Sequence, residues 1–270
     1  MTTVSTKLGD IHVDDQGAAD QPAALLWPSL FTDHRMWRHQ VAALRAAGWR
    51  TLALDPPGHG RSPGPAFTFT MDECADAALA VLDAAAVREP VVILGTSWGG
   101  FVAPRVALRA PDRVRGMILF NTSADTPALL MKARLLTKLL SIGAIRTMVD
   151  RMAVATLLAP DTRKREPEVG AELQRELGTW NRPAVIRTVR SVLVDRGPVI
   201  DSLPGVRAPS LIVSGGKDWL LPTALSRHIV DKLPNARHVE VPNAAHLVPL
   251  EAPQTANSLI LDFVHQLRHG

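Results

Sequence analysis

Nine residues constrain this chain more than any other stretch: Val91 to Gly99, V-V-I-L-G-T-S-W-G, an apolar run that breaks into Gly-X-Ser-X-Gly and then into residues at helical spacing. The run reads as a buried strand, the glycines as a sharp turn, and the residues from Trp98 to Arg109 as a helix. The same alternation recurs along the chain. Further inner strands are expected at Ala23 to Trp27, Thr51 to Leu54, Gly116 to Asn121, Ser210 to Ser214 and Arg237 to Val241. Helices are expected over Arg35 to Gly48, Asp72 to Val87, Thr223 to Leu233 and Glu251 to Leu267, where apolar residues recur every three or four positions. Val4 to Leu8 and Ile11 to Asp14 read as an edge hairpin. Strands alternating with helices predict an α/β fold: a mostly parallel, doubly wound sheet of about eight strands.

One stretch departs from the alternation. From 126 to 202 the residues read as several helices without a strand, interrupted at Pro160, Pro167 and Pro183, which predicts a helical insertion into a core made of 1–125 and 203–270. Thr126 to Ala208 carries 14 Lys and Arg against 8 Asp and Glu, a surplus of 6, while the whole chain has 30 against 26, or +4. The rest is therefore slightly acidic. This basic surplus fits either a solvated helical surface or a lid whose arginines, with Trp180, Arg182 and Arg187 as candidates, frame an anionic substrate. The net charge is too small and too dispersed for a nucleic-acid partner. A single cysteine, Cys74, excludes an internal disulfide, and neither a signal peptide nor a membrane span is expected, so the sequence reads as a cytoplasmic protein without a membrane partner.

Ser97 sits at the tip of the strand-to-helix turn, where Gly95 and Gly99 let the backbone close. An alcohol is a weak nucleophile at neutral pH and needs a general base, which in turn needs an acid to fix its tautomer. Leu211 to Pro222, L-I-V-S-G-G-K-D-W-L-L-P, places Asp218 in a loop at the carboxyl end of a strand, and V-P-N-A-A-H-L-V-P-L-E places His246 in the next such loop. Asp125 is a rival for the carboxylate because it too follows a strand end. Among the other histidines only His59, in D-P-P-G-H-G-R-S, is expected to face the site. A tetrahedral intermediate needs backbone N–H donors, and losing one typically costs about 100- to 1,000-fold in rate. The amides of Trp98 and Leu30 are the candidates. Trp98 and Phe101 are candidate pocket walls or packing residues. Pro104, inside the helix after Ser97, is expected to kink it. No His-Glu-X-X-His, P-loop or Gly-X-Gly-X-X-Gly is present, so neither a metal nor a cofactor is expected.

Four segments together, W-P-S-L-F-T-D-H-R-M-W, D-P-P-G-H-G-R-S, G-T-S-W-G-G, and G-G-K-D paired with N-A-A-H, resemble the α/β-hydrolase superfamily over nearly the whole chain. The first is most similar to the 3-oxoadipate enol-lactonase branch, although Pro28-Ser29 stands where many relatives have His-Gly. The resemblance implies a serine hydrolase with a helical lid, acting on a small-molecule carboxylic ester or lactone through a Ser97–His246–Asp218 triad. Haloalkane dehalogenases and epoxide hydrolases use an aspartate where Ser97 stands, and the latter need lid tyrosines, of which this chain has none. Carbon–carbon bond hydrolases and cofactor-free perhydrolases, also called haloperoxidases, share the triad and rank behind ester or lactone hydrolysis. A small-molecule receptor without turnover is the reading from a different class.

Overall fold

The computed structural model describes residues 2–125, 135, 138, 139 and 141–269. Its eight strands are β1 (Thr2–Thr6), β2 (Gly9–Gln16), β3 (Ala23–Trp27), β4 (Arg50–Leu54), β5 (Val91–Thr96), β6 (Val114–Phe120), β7 (Ser210–Gly215) and β8 (Ala236–Val241). They form one sheet in the order β1-β2-β4-β3-β5-β6-β7-β8. β1 and β2 pair antiparallel, as does β2 with β4, and every other pairing is parallel. The expected α/β sheet with its edge hairpin is the observed fold. Every residue of β3, β4, β5 and β7 is buried, as a strand covered on both faces requires, whereas the terminal β1 and β8 are partly exposed.

β6 begins two residues earlier than its sequence suggests. Val91 pairs with Val114 but Val92 with Gly116, so half-buried Arg115 is the extra residue of a bulge and breaks the apolar run. Gly116 is needed for close packing, because a Cβ there would lie 2.7 Å from the Leu267 side chain.

Helices among the described residues include α1 (Arg38–Ala46), α2 (Met71–Ala84), α3 (Trp98–Arg109), α4 (Arg146–Leu157), α5 (Pro160–Arg165), α6 (Pro167–Thr179), α7 (Arg182–Leu193), α8 (Thr223–Lys232), α9 (Val248–Glu251) and α10 (Pro253–His269). α2 starts at a capping box in which Thr70 Oγ1 accepts from Glu73 N–H and Glu73 Oε2 accepts from Thr70 N–H. α1 packs on α10, and α2 on α3. α3 remains one helix through Pro104, with Trp98 to Ala107 all buried, and the Arg105 guanidinium donates to the Phe101 carbonyl.

Between β6 and β7 the described residues contain helices and no strand. Of the insertion expected over 126–202, residues 126–134, 136, 137 and 140 lie outside the described set. α4 to α7 meet the rest of the chain at loops that follow strands. Thr188 Oγ1 donates to Pro57 O at 3.0 Å, Ser191 Oγ accepts from Phe69 N–H at 2.8 Å, and Leu157 O accepts from His246 N–H at 3.2 Å. No helix among the described residues is long and apolar enough to cross a membrane.

Candidate active site

Parallel register places the carboxyl ends of β3, β5, β6, β7 and β8 in a row: Trp27 is opposite Gly95, Thr96 opposite Phe120, Phe120 opposite Val213, and Gly215 opposite Val241. Leu30, Ser97, Asp218 and His246 lie just beyond this row, and Trp98 begins α3 directly after Ser97. Ser97 has φ 52° and ψ −102°, a left-handed conformation that a serine adopts only where its surroundings enforce it. Those surroundings are crowded. A Cβ on Gly99 would overlap the Trp27 carbonyl, and one on Gly95 would overlap the backbone of Gly99, so the expected need for glycine at both positions is met. The Ser97 N–H donates to Phe120 O at 2.8 Å, and Ser97 O accepts from Thr122 Oγ1 at 3.0 Å.

His246 Nδ1 and Asp218 Oδ2 are 2.8 Å apart, and both residues are buried. Asp218 Oδ1 accepts from the N–H groups of Leu220 and Leu221, and Oδ2 also accepts from Asn121 Nδ2 at 2.8 Å. Burial alone would raise the Asp218 pKa. The adjacent His246, the Leu221 amide and Asn121 outweigh it and hold the carboxyl below its usual range. The rival, Asp125, faces His228 Nδ1 at 3.1 Å and not His246. Ser97 Oγ and His246 Nε2 are not joined by a hydrogen bond among the described residues. Such contacts are often long before substrate binds and tighten in the reacting complex.

In the sequence Asn121 stands only as the end of an expected strand and not as a site residue. Its φ is 47°, and its amide also donates to Ala245 O at 3.0 Å, so one side chain ties the end of β6 to both the aspartate loop and the histidine loop. The only sequence signal was a polar residue ending an apolar run. The close approach of those two loops depends on Gly215, where a Cβ would overlap the Ala245 carbonyl.

The Leu30 loop is a turn in which Thr32 N–H donates to Ser29 O and Phe31 has φ 65°. A left-handed phenylalanine is strained, and His59 holds it: Phe31 N–H donates to His59 Nε2 at 3.1 Å. That bond requires the ring proton on Nδ1, which faces Pro57 O at 3.2 Å. Burial accordingly lowers the His59 pKa to about 4. His59 thus supports the loop as a neutral ring. The N–H groups of Leu30 and Trp98 donate to no other group among the described residues. The Trp98 ring packs among Trp27, His59 and Phe69, and the Phe101 ring lies under the Arg196 guanidinium at 3.5 Å, so packing accounts for both side chains.

Two basic residues of the inserted helices that the sequence singles out have protein partners. Arg182 Nη1 is 2.5 Å from Asp150 Oδ1, and Arg187 Nε donates to Pro65 O at 3.0 Å. Trp180 does approach the site, with its ring 4.7 Å from that of His59. Histidines that look scattered in the sequence include one group gathered by folding: donor atoms of His12, His34 and Asp55 lie within 4.8 Å of one another. Asp55 Oδ1 is occupied by the N–H and Nδ1 of His34, the latter at 2.6 Å, and Oδ2 by Arg61 N–H. The group reads as a hydrogen-bonded pair beside a buried histidine.

A family model described as the alpha/beta hydrolase fold matches residues 22–253, and the chain belongs to that family. It is an α/β-fold hydrolase. A pimeloyl-[acyl-carrier protein] methyl ester esterase of Neisseria meningitidis is 31% identical over 229 residues, 81% of this chain and 69% of that protein. The 3-oxoadipate enol-lactonase 2 of Acinetobacter baylyi is 24% identical over 247 residues, 90% of this chain and 89% of that one. Among solved structures, a hydrolase from Pseudomonas aeruginosa superposes with a TM-score of 0.89 at 27% identity, covering 97% of each chain.

Proposed function

We propose that this protein cleaves a carboxylic ester or lactone through an acyl-enzyme formed on Ser97. The observation that carries this reading is the 2.8 Å pair of His246 and Asp218, set on the same sheet edge as a left-handed Ser97. In the proposed cycle His246 takes the Ser97 proton as Oγ attacks the carbonyl carbon. The carbonyl oxygen, now negative, accepts from the N–H groups of Leu30 and Trp98. Collapse breaks the acyl–oxygen bond, and the leaving alkoxide takes the proton back from His246. Water then enters, gives its proton to His246, attacks the acyl carbon and releases the acid and Ser97. Asp218 keeps the imidazole in the tautomer whose Nε2 accepts and stabilises the cation that forms. The neutral His59 holds the Leu30 loop throughout.

The helices between β6 and β7 act as a lid over this edge, with 1–125 and 203–270 as core. Their bonds to Pro57, Phe69 and His246 support that role. Relatives described as an esterase and an enol-lactonase support the substrate class. A panel of p-nitrophenyl esters and of lactones of graded length, with and without a carboxylate, tests it. Turnover that Ser97→Ala abolishes supports the proposal. A panel without turnover, or turnover that survives in Ser97→Ala, overturns it.

A further inference from the structure

Glu251 ends α9, five residues after His246, and is buried although no cation contacts its carboxylate oxygens among the described residues. Four donors reach it instead. Oε1 accepts the N–H groups of Ala245 at 3.0 Å and Leu247 at 3.1 Å, the two amides that flank His246. Oε2 accepts Ala159 N–H at 2.7 Å and Thr162 Oγ1 at 2.9 Å, at the start of α5 in the inserted helices. The amide of His246 itself donates to Leu157 O, just before Ala159. Three consecutive amides of the histidine loop are thus fixed by one carboxylate and by the segment that the same carboxylate holds.

We infer that Glu251 is a positioning residue that sets His246 and couples its position to the lid; this rests on the triad reading above. One oxygen serves the histidine loop and the other the lid, so displacing α5 pulls on the group that orients the base. No hydrogen bond of Glu251 touches the imidazole, Asp218 or Ser97. Its influence passes through the backbone of 245–247, where a misplacement of about 1 Å is enough to cost about 100-fold in rate.

Substitution separates the two arms. In Glu251→Gln the side chain keeps its shape but has one acceptor oxygen and one donor nitrogen. Backbone N–H groups cannot reverse, whereas the Thr162 hydroxyl can turn to accept, so the nitrogen settles toward α5, where only the one Ala159 bond is lost, and the two bonds of the histidine arm survive. Glu251→Ala removes both arms, and Thr162→Val removes one bond of the lid arm. Kinetics with the best ester of the panel, and the proton resonance of His246 Nδ1–H at low field, are read on each folded variant with Ser97→Ala in parallel. The inference predicts kcat lowered about 100-fold in Glu251→Ala and about tenfold in Glu251→Gln, with KM changed less than about threefold and the Nδ1–H resonance displaced. Thr162→Val falls between wild type and Glu251→Gln. If Glu251→Ala does not fold, the other two variants carry the test. Folded Glu251→Gln and Thr162→Val with wild-type kcat and an unmoved resonance overturn the inference while leaving the triad reading intact. Activity surviving in Ser97→Ala overturns the triad reading itself, and the inference with it.

Discussion

Asn121 donates to Asp218 Oδ2 at 2.8 Å and, from the same nitrogen, to the carbonyl of Ala245, the residue before His246. The end of β6 thereby sets the spacing between the acid and the base. Its backbone neighbour Phe120 accepts the N–H of Ser97, so the three loops of the proposed triad are referred to one point. Asn121→Ala removes both bonds and leaves a non-glycine residue at φ 47°. Asn121→Gly removes the same bonds but tolerates that φ. Both are expected to lower kcat by about 10- to 100-fold, with Asn121→Gly the more stable by up to about 1 kcal/mol. Steady-state kinetics and thermal unfolding of the pair separate the lost hydrogen bonds from the backbone effect.

The buried His59 gives stability a pH dependence of known sign. Its pKa falls from 6.5 to about 4 on folding, so between these values the unfolded chain binds a proton that the folded chain does not. Stability therefore drops as pH falls through that window, by up to about 3 kcal/mol from this group. His12, His39 and His238 are also lowered by burial and add to the same trend, so the contribution of His59 is read as a difference. His59→Gln offers an oxygen to Phe31 N–H without titrating. Denaturant unfolding from pH 4 to 8 is expected to show a shallower acid limb for this variant by close to one proton; an unchanged limb would remove His59 from the account.

Glu176 on α6 works in the opposite direction. Burial, with Asp33 close by, raises its pKa from 4.5 to about 7, although Arg35, 2.9 Å away and shared with Asp33, pulls it down. Between those two values the folded chain holds the proton and the unfolded chain has lost it, so stability declines as pH rises. Glu176→Gln is expected to gain about 1 kcal/mol over wild type at pH 8, allowing for solvent screening, and nothing at pH 4. Melting temperatures at the two pH values check this.

Gly99→Ala tests the packing of the serine turn. Its Cβ would overlap the Trp27 carbonyl, a backbone atom of an inner strand that cannot move away cheaply. A loss of about 3 kcal/mol or more is expected, seen as reduced yield and a lower unfolding midpoint. Gly48→Ala, where nothing lies within 4 Å of the new Cβ but φ is 76°, is expected to lose only the smaller conformational cost of about 1 kcal/mol.

The sheet was legible because buried strands such as Ala23–Trp27 are continuous apolar runs bounded by turn residues, and because Trp98–Arg109 carries a helical period. The first two residues of β6 do not show in the apolar pattern because of the bulge at Arg115. Ser97, Asp218 and His246 stand in local motifs, Gly-X-Ser-X-Gly, Gly-Gly-Lys-Asp and Asn-Ala-Ala-His, whose turn chemistry is written in adjacent residues. Asn121, His59 and Glu251 are different. Each acts through a few hydrogen bonds, one between His59 and the Leu30 loop, two from Asn121 and four to Glu251, and what it holds is fixed by sheet register or by packing of the inserted helices. The contacts of Arg182 and Arg187 are hidden for the same reason: their charge is visible in sequence, but their partners Asp150 and Pro65 O are set by the fold.

The central claim is that the hydroxyl of Ser97 is activated by His246. Incubation with a fluorophosphonate followed by peptide mass spectrometry tests it without knowledge of the substrate. One covalent adduct per chain is expected, on the peptide that contains Ser97, absent in Ser97→Ala and strongly slowed in His246→Ala. A wild-type protein that stays unmodified, or an adduct that persists on another residue in Ser97→Ala, would contradict it.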